Sequence, residues 1–131
     1  MSKSRETDTA GKVPGLTACA TYLSTDDKGA TNWRVTLRYQ GREMNVKFTQ
    51  GSACDKRGPD ALTVLCCIAL DSQGYYNAGS FEAWAPEYGY DTDSRKAEAI
   101  YRECAKQAAD LTFLLGEDYD AVVASDAVRE F

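Results

Sequence analysis

The spacing of apolar residues changes once along the chain. Between residues 16 and 50 apolar positions recur at every second residue; beyond Pro59 they recur at every third or fourth. Trp33, Val35, Leu37 and Tyr39 alternate with Arg34, Thr36, Arg38 and Gln40, the pattern of a strand with one buried face. Gly41 marks a tight turn, after which Met44, Val46 and Phe48 alternate with Asn45, Lys47 and Thr49 as the antiparallel partner. Residues 16–24 supply a first strand, joined through the polar loop 25–31. Three strands in a meander with one apolar face need a cover, which the helical second half provides. The expected fold class is therefore α+β, a three-stranded antiparallel sheet packed against three to four helices.

The helical period begins at Gly58-Pro59, with Pro59 suited to a first helical position. Ala61, Leu62, Leu65, Ile68 and Ala69 form an apolar stripe, and Gly74 is the expected end. Ser80 is placed to cap a short helix carrying Phe81 and Trp84, which Pro86 limits to one or two turns. After Gly89, one of Asp91, Thr92, Asp93 or Ser94 caps a long helix. Its stripe is Ala97, Ile100, Tyr101, Cys104, Ala108, Leu111, Leu114 and Leu115, closed by Gly116. A final short helix from Asp118 carries Tyr119, Val122, Val123 and Val128. The polar residues 1–12 read as a disordered lead-in to one domain over 13–131.

Length and composition agree with that outline. The 131 residues are 44% hydrophobic and 27% charged, ordinary for one globular domain able to bury its own core. No apolar run approaches the roughly 20 residues that span a bilayer, and the start of the chain has no apolar signal region. A cytoplasmic setting is expected.

The chemistry available is narrow. There is no histidine, which removes Ser/His/Asp and Cys/His catalysis. Cys19, Cys54, Cys66, Cys67 and Cys104 show no CxxC spacing and read as reduced, mostly buried small hydrophobes. Cys54, near Lys56 and Arg57, is the one expected at the surface. Asp91-Thr92-Asp93-Ser94 begins like a calcium loop, but Lys96 and Arg102 occupy the positions where an EF-hand needs glycine and glutamate. Capping explains those acids better, since they lie at the positive end of a helix dipole. No cofactor and no metal are expected, and no catalytic residue is assigned.

Aromatics crowd into residues 75–90: Tyr75, Tyr76, Phe81, Trp84, Tyr88 and Tyr90. Phe81 and Trp84 are expected to anchor the short helix onto the sheet. Tyr75, Tyr76 and Tyr90 are expected in loops, exposed for recognition. Charge divides the chain: residues 1–79 carry 10 Lys/Arg against 8 Asp/Glu, residues 80–131 carry 5 against 12. The second half, net −7, repels nucleic acid and attracts basic grooves.

Ser80, Phe81, Glu82, Trp84, Glu87, Tyr88, Gly89, Tyr90, Asp91, Asp93, Ser94, Arg95, Lys96, Ala97, Glu98, Tyr101 and Cys104 form one further pattern. It resembles the SFExWxxE[YF]GYDxDSRKAExxYxxC segment of a group of small proteins encoded by tailed bacteriophages and prophages, which continues into a Leu-rich helix ending in LLG or LFG. The resemblance covers about 40 residues; Pro86 departs from it. It implies a phage setting inside a host bacterial cell and brings no catalytic residues. Small acidic phage proteins of this kind are similar, as a class, to anti-CRISPR proteins. The implied function is a non-enzymatic inhibitor of a host nucleic-acid-targeting defence complex. Its acidic surface would imitate DNA in a basic groove of a protein or ribonucleoprotein partner. The expected contacts are Glu82, Glu87, Asp91, Asp93, Glu98 and Glu103, flanked by Tyr88 and Tyr90. Two rival expectations are a nucleic-acid-binding accessory protein using Arg34, Arg38 and Lys47 on the sheet, and a metal-dependent or nucleotide-processing enzyme built on Asp91 and Asp93.

Overall fold

The computed structural model describes residues 4–51 and 58–130. Four antiparallel strands lie in chain order: β1 (Ser4–Asp8), β2 (Leu16–Thr25), β3 (Thr31–Tyr39) and β4 (Arg42–Gln50). The helices follow: α1 (Ala61–Ala78), α2 (Phe81–Glu87), α3 (Arg95–Leu115), a single 3₁₀ turn (Gly116–Asp118), α4 (Tyr119–Val123) and α5 (Asp126–Arg129). The α+β class stands as expected, but the sheet has four strands rather than three.

The additional strand lies inside the segment expected to be a disordered lead-in. β1 has no alternating apolar residues, and its order comes from its neighbours. It pairs with β2 from Ser4↔Thr21 to Asp8↔Thr17. The Arg5 guanidinium donates to the Gly58 carbonyl at 2.7 Å, and Thr7 Oγ1 accepts the Ala61 N–H at 2.8 Å, tying the strand to the start of α1.

Period-2 alternation puts Leu16, Ala18, Ala20, Trp33, Val35, Leu37, Tyr39, Met44 and Val46 on one face of the sheet, all buried. At Gln40-Gly41 both residues have positive φ, 50° and 80°, as a two-residue type I′ hairpin requires. Against the buried face lie Val64, Leu65 and Ile68 of α1 with Leu111, Leu114 and Leu115 of α3, all in one core cluster; burying each such side chain contributes about 1.5–3 kcal/mol. Val122, Val123 and Val128 close the end of the same core. The opposite face, with Thr17, Arg34, Arg38, Asn45 and Lys47, is exposed.

The helix ends follow cap chemistry. Pro59 does not take the first helical position: α1 begins at Ala61, and Asp60 caps it by accepting from the Thr63 N–H at 2.8 Å. Ser80 caps α2 as expected, and of the four candidates Ser94 caps α3, the two hydroxyls accepting from the Ala83 and Ala97 N–H groups. Pro86 sits in the last turn of the seven-residue α2, and Gly116 closes α3. Gly74 does not end α1. The helix runs four residues further, to a C-cap at Gly79 with φ 77°.

Candidate functional site

α2 is held by a second, smaller core. Trp84 and Ala85 are buried with Ala97 of α3, surrounded by Phe81, Tyr90, Ile100, Tyr101 and Cys104. Trp84 is its centre: Tyr90 stacks on it at 5.7 Å, Tyr101 meets it edge-on at 5.3 Å, and Tyr88 tilts against it at 5.2 Å. The expected anchoring of Phe81 and Trp84 onto the sheet is therefore corrected. These rings bind α2 to the helices, because the sheet's apolar face is already filled by the main core.

The tyrosines are corrected in the same way. Tyr75 and Tyr76 lie on the continued α1, not in a loop. Tyr75 is half-buried against Tyr101 at 5.2 Å. Tyr76 keeps an exposed ring, but its hydroxyl is 2.9 Å from Thr112 Oγ1 and donates to the Ala108 carbonyl. Tyr90 is half-buried by its stack on Trp84. Tyr88 remains 48% exposed, with its hydroxyl seated on Gly74, where any side chain would collide with it. Partial loss of water, then Glu87 and Asp71, push the Tyr88 phenol above its usual range.

Every acid named from the sequence is exposed. Glu82 and Glu87 are exposed on α2, about 140° apart around the helix and outside the buried pair Trp84 and Ala85, and Asp91 and Asp93 lie in the turn that leads to the Ser94 cap. No basic residue occurs between Ser80 and Ser94, and none of these four acids forms an ion pair with another described residue. Glu98 and Glu103 belong elsewhere. Glu98 is bound by Arg102 at 2.6 Å, one helical turn on. Glu103 lines a cleft with Arg34, Asn45, Val46 and Lys47 of the sheet and Lys106 and Gln107 of α3. Glu82, Glu87, Asp91 and Asp93 are thus the named acids left exposed without a cationic partner among the described residues, and Tyr88 lies between them in sequence.

The basic sheet face is partly cancelled. Arg38 is paired with Glu43 across the hairpin at 2.9 Å, and that bond raises the guanidinium pKa further. Glu6 and Asp8 of β1 share the same outward side. Trp33, Tyr39 and Phe48 all sit on inward positions, so β2–β4 offer no outward ring on which a base would stack. Lys106 was not legible as part of this region, because the alternation that reveals the strands says nothing of which helix turn meets their edge.

Among the described residues, no group of three His, Cys, Asp or Glu side chains converges as a metal site requires. Cys66 is buried, its thiol pushed up to about 11 by burial first, then by the neighbouring Cys67 and by Asp60. Cys19, Cys67 and Cys104 are half-buried and free. Cys54, Lys56 and Arg57 lie outside the described residues. No helix among the described residues is long and apolar enough to cross a membrane. No protein-family model matches the chain, no curated protein is similar to it in sequence, and no solved structure matches its fold.

Proposed function

We propose that the chain is a non-enzymatic binding protein that places the acidic end around α2 into a Lys/Arg-rich groove of a host nucleic-acid-targeting complex. A CRISPR effector is the form of target that the phage resemblance implies. The observation that carries this reading is the isolation of Glu82, Glu87, Asp91 and Asp93. Four exposed carboxylates fall within twelve consecutive residues, Glu82 to Asp93, with no cation among them. Helix dipoles favour acids at most of these positions, but like charge with no cation beside it still costs stability through self-repulsion, which a basic partner would relieve. The aromatic core holds the backbone of α2 in place, so the carboxylates need little ordering on binding. Tyr88 adds a half-exposed ring between them in sequence.

The test is affinity capture from a bacterial host lysate followed by binding to the purified partner. Reversing Glu82, Glu87, Asp91 and Asp93 to lysine is expected to weaken binding at least about a hundredfold, and binding should weaken as salt rises. Affinity indifferent to both salt and the four reversals would remove the proposal. The sheet-face alternative is read in the same preparation by gel shift with labelled single- and double-stranded DNA.

A further inference from the structure

The cleft beside Glu103 carries chemistry that the acidic end does not explain. Arg34 and Lys47 are exact cross-strand partners on β3 and β4, and both point to the open side of the sheet. Directly opposed like charges destabilise a strand pair unless something answers them. α3 lies under the other face, and at the β4 edge it brings a third cation, Lys106, into the lining of one cleft of about 470 Å³ shared with Arg34, Lys47, Asn45 and Gln107. None of the three cations forms an ion pair with another described residue. Glu103 is the single carboxylate in the lining.

We infer that this cleft binds one phosphate group, free or carried as a monoester on a small molecule. Three cations and one carboxylate leave a charge of +2, which matches the roughly −1.5 to −2 of a phosphate monoester near neutral pH. Arginine supplies a planar fork for two of its oxygens, and the two lysines act as point charges. The side-chain amides of Asn45 and Gln107 supply N–H donors for the remaining oxygens. A nucleic-acid strand fits less well. Outward positions on β2–β4 hold no aromatic for base stacking, and the chain's net charge of −5 repels a polyanion.

The experiment is a titration of the full chain, labelled with ¹⁵N, followed by amide shifts. The probes are inorganic phosphate, AMP, adenosine and a twelve-nucleotide DNA strand, each against chloride at matched ionic strength. Phosphate and AMP are expected to give saturable shifts at β3, β4 and the middle of α3 below about 10 mM, and adenosine none. Equal affinity for the two identifies the phosphate group alone as the ligand; tighter AMP identifies a small-molecule monoester. Arg34→Thr, Lys47→Thr and Lys106→Gln should each weaken binding about tenfold, and Glu103→Gln should strengthen it. Arg34→Thr also relieves the opposed pair, so its melting temperature should not fall, which separates lost binding from lost folding. Shifts that never saturate, match those of chloride, or persist unchanged in the variants overturn the inference. So does a DNA strand that binds through these residues more tightly than AMP.

Discussion

Gly74 occupies a mid-helix position where alanine is ordinarily better by about 1 kcal/mol. Its value lies in the space it leaves, since the Tyr88 hydroxyl sits where a Cβ would go. Gly74→Ala should therefore stabilise the wild-type chain by well under 1 kcal/mol or destabilise it, because the gain in helix propensity is offset by displacing Tyr88. In a Tyr88→Ala background the same substitution should recover the full stabilisation of about 1 kcal/mol. Urea unfolding of the four chains checks this; identical effects in both backgrounds would show that the two residues are uncoupled. Three residues earlier, Asp71 keeps an exposed surface, but the protein around it strips enough water from its carboxyl to raise its pKa. The folded chain then holds that proton more firmly than the unfolded chain does. Stability from this group is greatest below the ordinary value of 3.8 and falls as pH rises through the raised folded value. Asp71→Asn is expected to melt higher than wild type at pH 7, with the difference vanishing in acid. A gain that grows toward low pH would contradict the sign. Neither role is legible in the sequence, where Gly74 reads as a helix stop and nothing singles out Asp71. The first depends on the Tyr88 side chain that another element lays across Gly74, the second on how much of the Asp71 carboxyl the fold covers.

At the scale of elements, the two cores have separate memberships, and α2 belongs only to the smaller one. Trp84 holds that helix through contacts with Phe81, Tyr88, Tyr90 and Tyr101. Trp84→Ala removes about 3–5 kcal/mol of packing, more than two helical turns with a proline in the second can replace. Hydrogen exchange is expected to show lost protection over residues 81–90, with the β2–β4 amides retained. Equal loss in the sheet would mean that the two cores unfold as one. Caps and periods announced most elements: Ser80, Ser94 and Gly116 act where side-chain chemistry placed them, and the stripe of α3 faces inward. β1 was hidden because the SRETD strand has no apolar alternation to detect. Its order resides in the β2 edge and in the bonds from Arg5 and Thr7 to the start of α1.

At the scale of the molecule, the helices α1 and α3 cover one face of the sheet and leave the other to solvent. The split in charge between the halves of the chain was legible from residue counts, but its distribution over the surface was not. Of six acids named from the sequence, Glu98 is taken up by Arg102, and Glu103 turns to the cations at the sheet edge. Pairing of that kind depends on side-chain direction around α3, where residues five apart point about 140° away from each other. The acidic end and the cationic cleft are consequently distinct surfaces, and the charge reversals at Glu82, Glu87, Asp91 and Asp93 should leave phosphate shifts in the cleft unchanged.

The plain 1-2-3-4 order of the sheet also has a kinetic side. Each strand meets its sequence neighbour, and the longest stretch between paired strands is the seven residues from Thr9 to Gly15. Closing such loops is entropically cheap, and no strand has to wait for a distant one to arrive. The slower searches fall to the helices: α1 must settle against β1 and β2, and α3 against β3 and β4, across much longer separations in sequence.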